Sequence, residues 1–437
     1  MEIAIAVISL IAYIMSLFCF RKKPITQQLT FLYIYLTGLT ITSHMTVLLP
    51  IYFLFSFFPF IKGISKISKT IFFLFFYVSI YLIIGLFVQD FFATATAFIA
   101  KLWQLLIFFF ILDSSQYINN DISIKQLIIA ILVESALGIY LMLNSTNVDF
   151  NGIVRLVSGA QPITGNIAIV ILPLFVYLFF KYNQSRQKKM MLFFIYVLFF
   201  IWSILSGTRG YTLIYTLVLA GLLYDYFPKR YNTQIIVGRT SMIFFITLIV
   251  GVMGLIIFDP LILEKFARIL RIESSVGIRT FENAAEIEFF INGPLYTELF
   301  GIGLGGIAGD YPEFSQAILR QGSLGMWNLE HYLMDAGALY HNLYANILLN
   351  LGIIGIIFAI IANVEIWNRI SNICKNLKLL RRTFHFYQIG FIWMNYYRWS
   401  GDCGISEMII LAMVLKIIKE EIQPKSINNY RKKLGNE

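Results

Sequence analysis

Long apolar runs recur along the whole chain, and they constrain its fold more than any other feature. Stretches of about 18 or more apolar residues are typical of membrane-spanning helices. Of the 437 residues, 58% are hydrophobic and only 13% are charged, whereas a soluble domain carries about 25% charged residues. The sequence therefore predicts an all-α, polytopic helical membrane protein and excludes a soluble enzyme, a disordered chain and a fibrous protein.

The positions of the basic residues predict how the chain is threaded through the membrane. All but nine of the 34 lysines and arginines lie at Lys125 or in six short gaps between apolar runs, and the positive-inside rule assigns these gaps to the cytoplasm. About 12–13 spans of roughly 20 residues then form a single membrane-embedded domain over residues 1–437. The spans after residue 60 are expected near 70–88, 91–112, 125–144, 163–180, 190–206, 210–227, 240–258, 340–362, 384–399 and 404–420.

One long segment, residues 259–339, lacks a predicted span and is assigned to the extracytoplasmic side. It is net negative, although the whole chain carries a charge of +10. The sequence predicts helices over Pro260–Glu273 and Arg279–Phe290, followed by a flexible glycine-rich turn at Gly301–Gly309. That turn lacks the lysine and the strand-to-helix context of an ATP-binding loop. A long ordered loop between tightly connected helices usually has a function.

Neither metal ligands nor a cofactor motif stand out in the sequence. The three cysteines, Cys19, Cys374 and Cys403, are far apart, so they predict no disulfide framework, zinc site or iron–sulfur cluster. The outer segments lack the convergent carboxylates that a divalent cation requires. We therefore expect no metal and no cofactor, and membrane topology rather than nucleic-acid binding accounts for the positive charge.

Four short strings, all assigned to the outer face, carry an arginine or a histidine. They are Arg155–Gly159, Ser206–Gly210, Gly277–Thr280 and Tyr340–Asn342. Arginine binds phosphate through two nitrogens and stays protonated, so several arginines on one face can hold a diphosphate without a metal ion. In the last string, His341 can accept a proton near neutral pH, and Asn342 can orient it or bind a sugar hydroxyl.

Structural roles compete with these functional ones. An outer arginine such as Arg155 or Arg209 can anchor a helix at the lipid headgroups. Arg279 can pair with Glu282 on the same helix, and His341 can cap a helix start. It is the order, the spacing and the common side of the four strings, rather than any single residue, that favour a functional interpretation.

Taken together, the four strings resemble the O-antigen ligase and O-antigen polymerase superfamily over residues 150–360. The strongest parts of the resemblance are Ser206–Gly210 ahead of a helix, and Tyr340–Asn342 followed by the Leu351–Gly355 run. The arginine in Gly277–Thr280 resembles the arginine of the family's large loop, and the one in Arg155–Gly159 resembles that of an earlier loop.

The resemblance implies an activity and a site. It implies a multi-pass enzyme of the bacterial cytoplasmic membrane that acts on the outer face, with inversion and without metal, on oligosaccharides linked to a polyprenyl diphosphate such as undecaprenyl diphosphate. The catalytic residues it implies are His341, Arg279 and Arg209. The substrate-binding residues it implies are Arg155, Asn342, Thr208 and Tyr340.

The acceptor separates the two activities of this superfamily. A polymerase adds an incoming lipid-linked repeat unit and makes O-antigen or capsule, and a chain-length regulator is then a candidate partner. A ligase transfers the polymer to the lipid A core, and nothing in the sequence points to that acceptor. A transporter of lipid-linked oligosaccharide would be expected to show internal repeats, which are not visible, and a membrane scaffold would not need His341.

The threading can be tested with single cysteines after the three native ones are replaced. A cysteine at residue 155 should react with an impermeant thiol reagent in intact spheroplasts, because this residue is assigned to the outer face. A cysteine at residue 185 should react only after the membrane is permeabilised. Labelling of residue 185 with protection of residue 155 would contradict both the threading and the outer site.

Overall fold

The computed structural model describes part of the chain, and the regular structure in that part is helical. The described residues are 11, 76–77, 79–81, 83, 104–113, 172–182, 185–205, 209–224, 287–289, 291–303, 343–397 and 405–422. No strand occurs among them. The expectation of an all-α fold is therefore confirmed for this part of the chain.

The helices follow the apolar runs of the sequence. They are α1 (Gln104–Asp113), α2 (Leu172–Lys181), α3 (Arg186–Leu205), α4 (Arg209–Tyr224), α5 (Leu295–Phe300), α6 (Leu343–Ile373), α7 (Lys378–Tyr397) and α8 (Ile405–Ile422). Each of them except α5 overlaps a predicted span, and α5 lies in the predicted extracytoplasmic loop. α3 ends at Leu205 and α4 begins at Arg209, where the sequence predicts a break.

α6 contains the segment that best meets the requirements of a membrane span. Among the described residues, one helical segment, Ile347–Ile373, is long and apolar enough, by length and composition, to cross a membrane. Two shorter apolar helices cover Leu172–Lys181 and Leu213–Leu222. Only 44% of the most apolar window of α6 is buried inside the protein, whereas the core helix of a soluble protein is mostly buried.

The connection between α6 and α7 is shorter than the sequence predicts. The sequence predicts that the basic stretch Arg369–Arg382 separates two spans. In the structure α6 continues to Ile373 and α7 begins at Lys378. Nε of Arg369 lies 2.9 Å from Oε1 of Glu365, four residues earlier, and pairs at this spacing support a helix. The charged residues therefore extend the two helices beyond the apolar runs instead of forming a loop.

α8 is the most completely buried of the described helices over residues 410–415. Residues 410–415 are each at most 1% exposed, so the helix is covered around its whole circumference. A helix that is apolar on all sides is stable only in such surroundings. α1 packs along it with Phe108 and Phe109 buried, and α6 contacts both helices.

α4 and α7 approach each other closely because glycine lies at both of their contact points. A Cβ added to Gly390 would lie 2.8 Å from Cγ1 of Ile214, and one added to Gly221 would lie 3.0 Å from Cδ2 of Phe386. Small residues of this kind allow two helix backbones to come together. The order of the contacts shows that α4 and α7 are antiparallel.

Gly352 interrupts α6 with a φ of 66° and a ψ of −167°, a conformation that glycine adopts freely. On the two sides of this break, Tyr344 donates to the carbonyl of Ile392 at 3.1 Å, and Gln388 donates to the carbonyl of Asn363 at 2.8 Å. A straight helix would separate Tyr344 from Asn363 by about 28 Å, yet their partners on α7 are only about 6 Å apart along the axis. α6 therefore bends sharply at Gly352, and the sequence did not predict this bend.

The carbonyls at the bend accept hydrogen bonds from the segment after α5. The backbone N–H of Ile302 donates to Leu349 at 2.8 Å, and that of Gly303 donates to Asn350 at 3.1 Å. Gly301 has a φ of 72°, and a Cβ there would overlap the backbone of Asn350. Of the predicted glycine-rich turn, the structure describes Gly301–Gly303, which these contacts hold against α6, and residues 304–309 lie outside the described residues.

Two tyrosines from an early part of the chain complete this arrangement. The hydroxyl of Tyr77 donates to the carbonyl of Leu351 at 2.9 Å, and that of Tyr81 donates to the carbonyl of Phe300 at 2.5 Å. The set is named the Gly352 junction, and it consists of Gly301–Gly303, Leu349–Gly352, Tyr77 and Tyr81. Three separate parts of the sequence thus meet at one break in a helix.

Alanine at either central glycine of the junction should destabilise the protein. Gly352→Ala and Gly301→Ala each force an L side chain into positive φ and against backbone atoms, a conflict of about 1–3 kcal/mol. The midpoint of thermal unfolding of the purified protein should fall by several degrees in both variants.

Gly221→Ala is the matched control. It introduces the same methyl group into a regular helix, where the nearest atom belongs to the Phe386 ring and alanine is the better helix former. The added methyl group also meets the backbone of Thr383 at 3.2 Å and so disturbs the packing of α4 against α7, but no positive φ is involved. The unfolding midpoint of Gly221→Ala should therefore fall less than those of the two junction variants. Equal midpoints for all three variants would contradict the junction.

Candidate functional site

The predicted site residues lie at the starts of helices or outside the described residues. Arg209 is the first residue of α4, and the string that contains His341 ends directly before Leu343, where α6 begins. The predicted site residues outside the described part of the chain are Arg155, Thr208, Arg279, Tyr340, His341 and Asn342. The structure therefore describes the helices that follow two of the predicted strings, namely α4 after Ser206–Gly210 and α6 after Tyr340–Asn342.

α7 contacts the initial turns of both α4 and α6 at similar levels along its axis. Ile214, in the second turn of α4, contacts Gly390, and Tyr344, in the first turn of α6, donates to Ile392. Gly390 and Ile392 are only about 3 Å apart along the helix axis, but they face nearly opposite directions around it. The start of α4 and the start of α6 thus lie at similar levels on opposite sides of α7, and the level of the α6 start requires the sharp bend in α6.

The predicted extracytoplasmic loop is attached to α6 through the Gly352 junction. Residues 287–289 are helical, as the predicted Arg279–Phe290 helix requires, and they begin eight positions after Arg279. Further along, the junction fixes Gly301–Gly303 to α6 eight or nine positions after His341. A short stretch of chain therefore connects the histidine string to this anchor, whereas 20 residues lie between the arginine string and Gly301.

The described glycines of this loop do not offer their N–H groups to a phosphate. The N–H of Gly301 donates to Thr297 at 2.8 Å, and that of Gly303 donates to Asn350 at 3.1 Å. Loops that bind phosphate through the backbone direct such groups at the anion. These two N–H groups are therefore not available to a diphosphate, and the arginine side chains are the candidates for holding it.

A second group of charges, which the sequence did not predict, lies in the C-terminal half of α6. The guanidinium of Arg369 binds both carboxylate oxygens of Asp113, with N–O distances of 2.6 and 3.1 Å. Two parallel bonds of this kind are among the stronger charge pairs in proteins. The Asp113 side chain is 8% exposed and that of Arg369 is 25% exposed. Together with Glu365 they form the Asp113–Arg369 cluster.

Further polar contacts join helix ends beside this cluster. The ammonium of Lys181, at the end of α2, lies 3.1 Å from Oε1 of Glu421 in α8, and Tyr177 donates to the same oxygen at 2.7 Å. The buried ammonium of Lys416 lies 3.4 Å from the carbonyl of Ile111 in the last turn of α1, where the helix dipole favours a cation. The C-terminal ends of α1, α2, α6 and α8 therefore meet at one end of the bundle.

A cleft of about 350 Å³ opens between these helix ends. It is lined by Leu112, Glu365, Arg369, Asn372, Ile373, Lys419 and Ile422. The guanidinium on its wall is already engaged by two carboxylates. The charges of the cleft therefore bind the helices to one another, and we assign them a structural role.

Burial controls the titration of two groups at this end of the bundle. It raises the pKa of the Asp113 carboxyl, and the positive charges of Arg369 and Lys419 offset this effect only in part. Burial also raises the pKa of the Cys374 thiol to about 12, so this thiol is protonated and unreactive at neutral pH. Among the described residues, no group of three or more metal-ligating side chains is arranged to hold an ion.

The sequence does not reveal the Asp113–Arg369 pair, because the two residues are 256 positions apart in the chain. A local signal for it was present. Asp113 directly follows an apolar run, and Glu365 and Arg369 are spaced to pair on one helix. These features predict an ionic helix end, although they do not identify its partner.

Comparison with known proteins gives no assignment. No protein-family model matches the chain, and no curated protein matches it either. The functional interpretation therefore depends on the residues of this chain and on their arrangement.

Removal of Arg369 should destabilise the protein more than removal of Asp113. Arg369→Gln leaves a buried carboxylate without its main partner, and breaking a buried pair in this way typically costs about 3–5 kcal/mol. Asp113→Asn removes the buried charge itself and leaves Arg369 paired with Glu365. The thermal midpoint should therefore fall further for Arg369→Gln, and the opposite order would contradict the cluster.

The same comparison has a pH dependence of defined sign. The folded-state pKa of Asp113 lies above its ordinary value of 3.8, so the folded state binds this proton more tightly than the unfolded state. The stability that Asp113 contributes therefore falls as the pH rises through the folded-state pKa. The thermal midpoint of the wild type, measured relative to Asp113→Asn, should decrease from acidic to neutral pH.

Proposed function

We propose that the protein is a multi-pass glycosyltransferase of the bacterial cytoplasmic membrane. It polymerises polyprenyl-diphosphate-linked oligosaccharide repeat units into a surface polysaccharide, O-antigen or capsule, on the extracytoplasmic face. The observation that carries the proposal is the contact of α4 and α6 with neighbouring positions of α7. Because of these contacts, the helix that begins at Arg209 and the helix that follows His341 start at similar levels, one on each side of α7.

The proposed reaction is a direct displacement at the donor sugar. The acceptor hydroxyl oxygen attacks the anomeric carbon, and the bond from this carbon to the diphosphate oxygen breaks with inversion. The hydroxyl proton passes to His341, and the diphosphate leaves with the bonding electron pair. Arg209 and Arg279 stabilise the negative charge that develops on it, as two-pronged donors can do without a metal ion.

The helices support embedding of the protein in a membrane. Among the described residues, Ile347–Ile373 of α6 is long and apolar enough, by length and composition, to cross a membrane. The C-terminal ends of α1, α2, α6 and α8 meet through their ion pairs. The predicted threading assigns these four ends to the cytoplasm, so it agrees with their proximity.

The Gly352 junction supports participation of the large loop in the site. A loop that only connected two spans would not need backbone hydrogen bonds to the helix that follows it. Here Ile302 and Gly303 are bonded to α6, while Arg279 and His341 lie on the two sides of this attachment along the chain. This attachment of the loop to α6 supports a site to which both residues contribute.

Two alternatives use different features. A ligase would have the same donor and the same arginine and histidine roles, but its acceptor would be the lipid A core. A transporter of the same lipid-linked oligosaccharide would form no new glycosidic bond and would be expected to contain repeats. We favour the polymerase, with lipid-linked repeat units and membrane lipid as partners and a chain-length regulator as a further candidate.

The proposal can be tested with purified protein in nanodiscs and a polyprenyl-diphosphate-linked repeat unit. The wild type should form longer lipid-linked products in the presence of EDTA. His341→Ala should lower the rate by about 10²–10⁴-fold, as loss of a general base does. Arg209→Lys and Arg279→Lys should lose most activity because lysine cannot reproduce the planar fork.

Arg382→Lys is the matched control, because this arginine is assigned to the cytoplasmic side, and it should keep the wild-type rate. Near-normal rates in both outer lysine variants would reduce those arginines to membrane anchors. Loss in EDTA with rescue by magnesium would overturn the arginine mechanism. When lipid A core is added, product on the core alone would identify a ligase. Movement of the donor across the bilayer of proteoliposomes without a new bond would identify a transporter.

A further inference from the structure

The described part of the predicted extracytoplasmic loop has two different faces. On one face, Phe289, Thr297 and Ile302 are buried. On the other face, six large apolar side chains are exposed, and they are named the outer apolar patch. The patch consists of Ile287, Ile291, Leu295, Tyr296, Leu299 and Phe300. Ile291 is 73% exposed and Leu295 is 68% exposed, and apolar patches of this kind mark surfaces that interact.

The outer apolar patch continues onto α6. The carbonyl of Leu299 lies so close to Gly352 that a Cβ there would overlap it. The next residue, Ile353, is exposed and begins a stripe of exposed apolar side chains along α6. The further members of this stripe are Ile357, Ile360, Ile361 and Val364. Exposed apolar surface therefore passes from the loop directly to the candidate membrane span.

The exposed apolar surface of α6 indicates what covers the outer apolar patch. More than half of the apolar window of α6 is not buried in protein, so in a bilayer that surface faces lipid. The patch meets α6 at the start of residues 353–373, at the end remote from the Asp113–Arg369 cluster. This is the end that the threading assigns to the extracytoplasmic side.

Backbone polar groups of the loop segment form hydrogen bonds within the segment, as an apolar environment requires. Where its helix breaks, the N–H of Gly293 donates to Phe289 at 2.7 Å and that of Thr297 donates to Pro294 at 2.9 Å. The hydroxyl of Thr297 also donates to Pro294, at 2.7 Å. Hydrocarbon supplies no hydrogen bonds, so a segment that lies in it has to satisfy its polar groups internally.

The polar residues of the segment fit the depth of the lipid headgroups. Tyr296 belongs to the patch, and tyrosine is enriched at membrane–water interfaces. Glu288 and Glu298 are partly exposed, and Asn292 donates to the carbonyl of Glu288 at 2.9 Å. An interfacial segment keeps such groups at the headgroups while its apolar face enters the acyl region.

We propose that residues 287–300 lie in the extracytoplasmic interface of the membrane, with the outer apolar patch inserted among lipid acyl chains. The inference rests on the membrane embedding proposed above and is independent of glycosyl transfer. It also deepens that proposal, because the loop that carries Arg279 is then held at headgroup depth. The diphosphate of a lipid-linked donor lies at the same depth.

The proposal can be tested by nitroxide scanning of the full chain in nanodiscs of phosphatidylcholine and phosphatidylglycerol. Single labels are attached at residues 291 and 295 after the native cysteines are replaced. Collisions with oxygen, which concentrates in lipid, should exceed collisions with a water-soluble nickel chelate several-fold. A label at residue 357 on α6 serves as the lipid control, and one at residue 188 serves as the aqueous control.

Each possible result either supports or contradicts the insertion of residues 287–300 into lipid. Labels at 291 and 295 that behave like the one at 357 support insertion into lipid. Labels that behave like the one at 188, while 357 contacts lipid, overturn the inference and leave the membrane protein intact. Protection of 291 and 295 from both reagents means that protein covers the patch, which also overturns it. If residue 357 is itself aqueous, the membrane embedding and this inference fail together.

Discussion

A backbone carbonyl released from a helix in apolar surroundings needs a donor from elsewhere in the protein, because hydrocarbon offers none. Gly352 creates this requirement in α6, and the Gly352 junction meets it. The N–H groups after α5 satisfy two of the released carbonyls, and Tyr77 satisfies a third. The course of the large loop and the direction in which α6 starts both follow from this arrangement.

The two ends of the bundle are held by different kinds of interaction. At the junction, neutral hydrogen bonds and close glycine contacts dominate, and these interactions depend on shape. At the other end, the Asp113–Arg369 cluster and the Lys181–Glu421 pair dominate, and these depend on charge. Between them, α8 is buried on all sides by apolar packing. The shape-dependent end is the one at which the site is proposed, and there a precise geometry is of greatest value.

Much of the helical fold could be predicted from the sequence, since apolar runs and basic gaps act locally. The predicted spans and the described helices overlap, and the break before Arg209 lies where it was expected. The bend at Gly352 could not be predicted, because a glycine within an apolar run is compatible with an unbroken membrane helix. The Asp113–Arg369 pair depends on two residues that only the tertiary fold brings together. For the candidate site, the sequence predicts the chemistry of the side chains, and the structure adds that α4 and α6 start at similar levels on the two sides of α7.

The tyrosines of the Gly352 junction also impose an order on biogenesis. Tyr77 and Tyr81 precede their acceptors by 274 and 219 positions. During synthesis these two residues are therefore made long before Phe300 and Leu351. The junction can close only when most of the chain has been translated. The end of the bundle that contains the Gly352 junction is consequently among the last parts of the protein to mature, and a nascent chain that stops short of α6 cannot assemble it.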